Sequence, residues 1–227
     1  MNNPGSFVLL KEVPDMQIIA NTGGIASTNS YLLADETTNQ AVIFDAPDHT
    51  VSLLLDEAKK RGWEIIGLWL THGHFDHIAD HALVTEAFPN AKILMHALDE
   101  PKLIDPTWRM FRLPFTIPPR KADGYLTDGQ KLTIGSLAVE VIHTPGHSPG
   151  HVVFYLPGEK MLVGGDLIIM GAVGRTDLPD SDYPSLQASI RRVMKLDPIT
   201  TLLPGHGEPS TLADERDNNR YVQEAMG

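Results

Sequence analysis

The chain has 227 residues, of which 42% are hydrophobic and 21% charged, so it can bury a sizeable core and is not intrinsically disordered. Its net charge of −11 argues against nucleic acid or an anionic membrane as the main partner. With no cysteine, disulfides and thiolate nucleophiles or ligands are excluded. No leader or stretch of roughly 20 apolar residues is evident, so we expect a single cytoplasmic domain spanning 1–227.

Helices and strands alternate along the first half of the sequence. A buried strand is predicted at 41–44, and an amphipathic helix at 50–61 that ends at Gly62. A strand at 65–70, a helix at 78–88 and a strand at 91–95 follow, and 99–128 has no clear period. Strands are then predicted at 132–134, 137–142, 151–155 and 161–163, a helix at 184–196 and a strand at 200–203. This order favours an α/β fold in which helices cover sheets.

Seven of the ten histidines lie in two short windows. The first window contains H-x-H-x-D-H, formed by His72, His74, Asp76 and His77 directly after a predicted strand. Side chains two positions apart on an extended chain project the same way, so His72 and His74 can converge on one ion. Asp76 and His77 can face a second ion from the following turn. Imidazole and carboxylate ligands suit Zn, Fe or Mn, whereas a helix N-cap with incidental histidines is the alternative.

Further ligand-type residues follow other predicted strands. The second window runs H-T-P-G-H-S-P-G-H, with His143, His147 and His151. Asp166 follows a strand in V-G-G-D, and His206 follows another in L-P-G-H. The second window is a moderate signal alone, because a turn rich in proline and glycine needs no function. Asp166 and His206 are each weak signals alone, since an Asp after Gly-Gly is usually a turn residue and a lone histidine usually lies on the surface. Together they place single ligands at strand ends that a folded sheet could gather.

The motifs H-x-H-x-D-H, T-P-G-H, G-G-D and P-G-H-G, in this order, resemble the metallo-β-lactamase superfamily. The stretches HTPGHSPGHVVF, GAVGRTDLP and PGHGEPSTL resemble its short, single-domain type II glyoxalase-like members, the hydroxyacylglutathione hydrolase-like hydrolases. The resemblance covers about residues 29–216 and implies a four-layer αββα sandwich with a dinuclear metal site at the sheet edges. It assigns His72, His74 and His147 to the first ion. It assigns Asp76, His77 and His206 to the second ion, and Asp166 to the bridge between the two ions. Asp76 and Asp166 are therefore the expected catalytic residues.

Three other residues are expected to support the ligands. Asp45 ends a strand and matches the superfamily's first motif, although an ordinary turn residue would also stand there. His143 and His151 are expected to have supporting or structural roles. No functional role is expected for His81 or His96.

The resemblance and the ligand types together predict a metal-dependent hydrolase. Two divalent ions against two carboxylates leave a positive site, where a bridging water would be hydroxide near neutral pH. A thiolate leaving group, with a pKa of about 8.5, needs little protonation, so the predicted reaction is attack of a metal-bridging hydroxide on a thioester. S-lactoylglutathione or a similar hydroxyacyl thioester is the expected substrate, and zinc is the expected metal, with iron or manganese as alternatives.

Positive charge near the expected site favours a small anionic substrate. Segment 102–121 carries five cations, which are Lys102, Arg109, Arg112, Arg120 and Lys121. This segment is either a flap that meets the substrate or a cover over the core. Arg175 falls where larger glyoxalases have a lysine for glutathione, with a salt bridge to Asp177 or Asp180 as the alternative. The C-terminal helical domain of those enzymes is expected to be absent, and Glu208 stands where they have a tyrosine for glutathione.

Rival functions remain open. A mononuclear iron persulfide dioxygenase of the same fold would use only His72, His147 and Asp166, and G-R-T-D at 174–177 also occurs in that group. The complete second set of ligands argues against it. A true β-lactamase is disfavoured because the common secreted types carry a cysteine near the position of Asp166. A non-catalytic metal-binding module is disfavoured because structural metals prefer closed tetrahedral sites.

Overall fold

The structure is a computed structural model that describes residues 8–13, 15–106 and 113–227. Within these ranges the first sheet has seven strands in chain order. They are β1 Val8–Val13, β2 Met16–Gly23, β3 Thr28–Asp35, β4 Gln40–Phe44, β5 Glu64–Trp69, β6 Lys92–His96 and β7 Gly124–Leu126. β1 to β4 are antiparallel, and β4 to β7 run parallel. The carboxyl ends of β4, β5, β6 and β7 therefore lie at one edge.

The second sheet has six strands, in the order β15-β14-β11-β10-β9-β8. The strands of this part of the chain are β8 Lys131–Ile134, β9 Leu137–His143, β10 Val152–Leu156, β11 Met161–Gly165, a separate hairpin of β12 Ile168–Ile169 and β13 Ala172–Val173, then β14 Thr201–Pro204 and β15 Ser210–Thr211. β11 and β14 are parallel, whereas the other pairs of this sheet are antiparallel. The chain segments after β11 and β14 consequently emerge side by side.

Helices cover the outer faces of both sheets. They are α1 Val51–Arg61, α2 Phe75–Ile78, α3 His81–Ala87, α4 Glu100–Ile104, α5 Tyr183–Val193, α6 Leu212–Asn218 and α7 Arg220–Met226. Across the described residues, none of these helices has the length and apolar character needed to cross a bilayer.

Three buried apolar clusters define four layers. The first cluster packs α1 against the first sheet and includes Leu54. The second lies between the sheets and includes Phe44 and Phe154. The third packs α5 and α7 on the second sheet, where Ile190 and Val222 are fully buried. The predicted α/β fold, an αββα sandwich, is confirmed.

The structure corrects one predicted helix. Residues 78–88 were expected to form a continuous helix, but α2 and α3 are separate. The backbone groups of His77 and Asp80 bond instead to Ala46 in the loop after β4, at 2.8 Å each. This diversion of the backbone positions His77 beside the first sheet.

Other elements were not expected from the sequence. The aperiodic segment 99–128 contains the short helix α4 and the edge strand β7. β3 was not predicted because all eight of its residues are buried, including polar ones, so its sequence lacks the alternation of a half-exposed strand.

Candidate metal centre

The seven predicted ligands converge where the strands of both sheets end. His72 and His74 lie in the loop after β5, and Asp76 and His77 lie in α2. His147 lies in the loop between β9 and β10. Asp166 follows β11 and His206 follows β14, and the parallel pairing of these strands brings the two side chains together. The fold thus places four candidate ligands on one sheet edge and three on the other.

Three imidazoles form the first ligand group. His74 Nδ1 lies 3.1 Å from His72 Nε2 and 2.8 Å from His147 Nε2, and all three side chains are buried. Burial and the neighbouring imidazoles hold the pKa of His72 well below its ordinary value, and they lower the pKa of His74 to about 3. The His72 and His74 rings are therefore neutral at pH 7, the form in which imidazole binds metal.

The second ligand group contains a carboxylate. His206 Nε2 lies 3.4 Å from Asp76 Oδ2, and His77 Nε2 lies 3.6 Å from the same oxygen. Burial lowers the pKa of both rings, but the surrounding carboxylates outweigh it and raise the pKa of His77 to about 9 and of His206 to about 11. The second group therefore favours positive charge at its centre.

Asp166 lies between the two groups. Its Oδ2 is 3.4 Å from His147 Nε2 and 3.3 Å from His206 Nε2, and its Oδ1 is 3.5 Å from His77 Nε2. Burial raises the pKa of Asp166, but the facing imidazoles outweigh it and hold the pKa far below its usual range. An ionised carboxylate therefore contacts both groups.

The residues fit divalent metal ions. Within the described part of the chain, His77 Nε2 and Asp166 Oδ1 are buried and have no hydrogen-bond partner. The ligand atoms of three sets lie within 4.8 Å of one another: His72, His74 and His147; His72, His77 and Asp166; and Asp76, His77 and His206. A methyl group at Gly205 would overlap Asp166 Oδ1, so the glycine leaves room for this carboxylate. Nitrogen and oxygen donors of this kind suit Zn, Fe and Mn.

Neighbouring groups orient the imidazoles. Asp45 Oδ2 lies 2.8 Å from His77 Nδ1, and both Asp45 oxygens accept hydrogen bonds from Thr71. His147 Nδ1 lies 2.9 Å from the Arg175 carbonyl oxygen. An N–H on Nδ1 would donate in both cases, which leaves Nε2 of each ring directed into the site.

Comparison with known proteins identifies the fold family. The family model described as the metallo-beta-lactamase superfamily matches residues 23–206. The chain belongs to this superfamily. Its members are generally metal-dependent hydrolases that bind divalent metals, and this chain has a cluster of His and Asp side chains that could hold such ions.

Individual members of the superfamily are similar over most of the chain. The crystal structure of BLEG-1, a B3 metallo-beta-lactamase, is 34% identical, covers 90% of this chain and 99% of its own, and has a TM-score of 0.83. TTHA1623, solved in a di-iron-bound form, is 36% identical over 88% of this chain and 98% of its own, with a TM-score of 0.77. The hydroxyacylglutathione hydrolase GloC of Haemophilus influenzae is 29% identical over 86% of this chain and 92% of its own.

The two histidines expected to have supporting roles lie in different places. His151 is fully buried, and its Nε2 accepts a hydrogen bond from the Asp166 backbone N–H at 3.0 Å. His143 stacks against His96 instead, with ring centroids 4.3 Å apart, and its Nε2 lies 2.9 Å from Pro149 O. The structure therefore brings His151, and not His143, to the candidate metal centre.

Two residues at the centre were missed by the sequence analysis. The Asn29 side-chain amide donates to Pro204 O at 3.0 Å and to Gly207 O at 2.8 Å, on either side of His206. Asp99 bonds the loops that carry His72 and His147. Neither residue belongs to a recognisable motif, because each acts on segments far away in sequence.

A cleft of about 420 Å³ opens onto both ligand groups. Five candidate ligands form its floor: His74, Asp76, His147, Asp166 and His206. Its walls are mostly apolar and are formed by Ala26, Phe75, Ile169, Val173 and Leu178, with Gly174 and Arg175. The Arg175 guanidinium forms two bonds to Asp177, at 2.6 and 2.7 Å, and both side chains are exposed. Arg175 therefore lines the cleft, as a substrate-binding role would require, and it also forms the surface salt bridge to Asp177 that the sequence offered as the alternative to that role.

The described part of segment 102–121 does not line this cleft. Lys102 is buried and pairs with Asp99 and Asp180, and Arg120 pairs with Asp123 at 3.0 Å. Ile117 packs into the core under the first sheet. These residues match the cover over the core that was the alternative to a flap. Lys121 is exposed, and Arg109 and Arg112 lie outside the described residues.

Proposed function

We propose that this chain is a dinuclear metal-dependent hydrolase that cleaves a thioester, with S-lactoylglutathione or a similar hydroxyacyl thioester as substrate. The position of Asp166 carries this proposal, because one carboxylate contacts both ligand groups at the floor of an open cleft. His72, His74 and His147 would hold the first ion. Asp76, His77 and His206 would hold the second ion, and Asp166 would bind both.

Two divalent ions at this position would supply a hydroxide nucleophile near neutral pH and polarise a carbonyl, since metal binding lowers the pKa of water from 15.7 to about 7. The chain itself contributes orientation. Asp45 and the Arg175 carbonyl hold the rings of His77 and His147, and the Asp166 backbone is held by His151. The mostly apolar walls would lower the local dielectric constant beside the reacting bond, which would strengthen electrostatic interactions there.

The lining of the cleft favours a good leaving group. Among the described residues that line it, Arg175 is the sole ionisable side chain outside the proposed ligand set. A guanidinium does not release its proton at physiological pH, so it cannot protonate a departing amide or alkoxide. A thiolate, with a pKa of about 8.5, departs without such help.

The identity of the thiol rests on similarity and charge. GloC of Haemophilus influenzae is named a hydroxyacylglutathione hydrolase, which makes S-lactoylglutathione the first substrate to test. Arg175 would exchange its bond with Asp177 for a carboxylate of this small anionic substrate, since an exposed ion pair contributes only about 0–1 kcal/mol. Zinc is the proposed metal, and the di-iron form of TTHA1623 makes iron the first alternative.

Metal content and substrate range test this proposal together. The protein is grown with zinc and iron, its metals are counted by plasma mass spectrometry, and S-lactoylglutathione cleavage is followed by thiol release. Two ions per chain and turnover that is lost after chelation and restored by metal are expected. One iron per chain with oxygen consumption on glutathione persulfide would instead support a dioxygenase. Cleavage of nitrocefin without thioester cleavage would support the activity named for BLEG-1.

A further inference from the structure

A single buried carboxylate joins the two loops that carry the first ligand group. Asp99 precedes α4 and its side chain is fully buried. Its Oδ2 accepts hydrogen bonds from Gly73 N at 2.8 Å and Ser148 Oγ at 2.7 Å. Its Oδ1 accepts from Gly150 N at 2.9 Å and Lys102 Nζ at 3.1 Å. Gly73 lies between His72 and His74, whereas Ser148 follows His147.

Tight packing reinforces these bonds. A Cβ atom at Gly73 would lie 2.8 Å from Asp99 O, and a Cβ atom at Gly150 would lie 2.7 Å from Asp99 N. Both distances are too short for a side chain, so each loop backbone rests directly on Asp99. Lys102 also pairs with Asp180 Oδ2 at 2.7 Å, which anchors the network to the segment after the cleft wall.

The network favours an ionised Asp99. Burial raises its pKa, but Lys102 and the three other donors outweigh it and hold the pKa below its ordinary value. An asparagine of the same shape has one acceptor oxygen and an amide nitrogen that cannot accept. It would therefore leave at least one backbone N–H facing another donor.

We propose that Asp99 is a positioning residue, which fixes the His72–His74 loop against the His147 loop and so sets the metal affinity of the first ligand group. This inference rests on the metal site of the proposed function. The second group has other supports, because Asp45 bonds His77 and Asn29 bonds the chain on both sides of His206. Loss of Asp99 should therefore weaken one ion selectively.

Zinc binding in two backgrounds tests this selectivity. His206→Ala leaves the first group intact, and His147→Ala leaves the second. In each background, Asp99→Asn is compared with Asp99 by zinc titration against a chelating indicator. We expect zinc affinity to fall about 10–100-fold in the His206→Ala background, the loss typical of outer-shell partners, and to change less than threefold in the His147→Ala background.

Asp35→Asn is the matched control. Like Asp99, Asp35 is fully buried and joins two turns through its carboxylate. It differs in position: Thr28, at the other end of β3, bonds the candidate ligand Asp76, whereas Asp35 lies at the end far from the metal centre. Asp35 and Thr28 are seven residue steps apart along β3, which separates them by roughly 23 Å. It should lower stability without changing zinc affinity in either background. An equal loss of affinity in both backgrounds for Asp99→Asn, or no loss, would show a merely structural role and overturn the inference.

Two further results separate this inference from the proposed function. If Asp99→Asn does not fold, Ser148→Ala removes one donor and should weaken zinc about threefold in the His206→Ala background. No change there would refute the inference. An unsubstituted chain that binds zinc but cleaves no thioester would refute the proposed reaction alone. An unsubstituted chain that binds no zinc would refute both.

Discussion

At the scale of single residues, the two ligand groups differ in charge. In the first group, burial lowers the pKa of His72 and His74, whereas the second group includes Asp76 and the rings of His77 and His206, whose pKa is raised. Asp166 contacts both groups and is ionised. A change at this residue should therefore affect both ions, whereas a change at His206 should affect chiefly one.

Asp166→Ala should remove at least one ion per chain and lower kcat about 10³-fold or more, because the chain loses the carboxylate shared by both groups. His72→Ala should have a similar effect. Plasma mass spectrometry and thioester assays provide the measurements. Asp177→Ala, which removes an exposed carboxylate, is the control and should keep its metals. Full activity and normal metal content in Asp166→Ala would refute the assigned centre.

Arg175→Ala should raise KM for S-lactoylglutathione about 10-fold with kcat and metal content unchanged, because a charged contact made equally in the ground state and the transition state is lost. The Arg175 carbonyl that bonds His147 is retained in this variant. Asp177→Ala should have the opposite effect and lower KM, since it frees the guanidinium. Steady-state kinetics measure both constants. An unchanged KM in Arg175→Ala would exclude Arg175 from substrate binding.

The sequence predicts residues whose side-chain chemistry is unusual at their position. Four ligand-type residues within six positions, at His72 to His77, are difficult to explain otherwise, and the structure brings them together. Asp99 could not be predicted in this way, because an aspartate before a short helix is ordinary. Its partners Gly73 and Ser148 lie 26 and 49 positions away, so tertiary contacts alone reveal the network.

At the scale of secondary structure, apolar runs predict the parallel strands better than the N-terminal ones. β4 and β5 have continuous apolar sequences because both of their faces are buried. β3 is equally buried but contains Asn29 and Ser30, whose side chains bond Pro204 O and Asp45 O. A polar residue that is satisfied by a distant backbone cannot be distinguished from a surface residue in the sequence alone.

Asp35 links the turn after β3 to the turn between β8 and β9. Its carboxylate accepts bonds from Thr37 and from Ser136, the latter at 2.6 Å from the backbone N–H and 2.9 Å from the hydroxyl. We expect Asp35→Asn to lower the free energy of unfolding by roughly 2–4 kcal/mol at pH 7, because the donors of Thr37 and Ser136 lose a buried, charged acceptor.

The cost of Asp35→Asn should depend on pH. Burial raises the pKa of Asp35, but the bonds from Ser136 and Thr37 outweigh it and hold the pKa well below its ordinary value. The stabilisation is therefore complete above the unfolded-state pKa of about 3.9 and is lost as the pH falls further. Urea unfolding of metal-free protein at pH 7, 5, 4 and 3 should show the two proteins converging below pH 4. A constant difference would contradict this role.

At the scale of the whole molecule, the proposed metal centre spans the two sheets. Four candidate ligands lie on the first sheet edge and three on the second. Behind them, Phe44, Trp69 and Phe154 pack between the sheets, with ring centroids 5.0 to 5.7 Å apart. The core already joins the sheets without metal, so ions should stabilise a preformed sandwich and should not be required for its formation.

Metal removal should therefore lower the Tm without unfolding the protein at room temperature. An ion at 100 times its Kd stabilises the native state by about 2.7 kcal/mol, which for a chain of this size corresponds to roughly 5–11 °C. Scanning calorimetry with and without a chelator measures the shift. The His147→Ala/His206→Ala double variant, with a ligand missing from each group, should show little shift. An equal Tm for the unsubstituted chain under both conditions would mean that no ion binds the native state tightly. Loss of the native circular dichroism spectrum at 25 °C on chelation would instead show that the ions, and not the aromatic core, join the sheets.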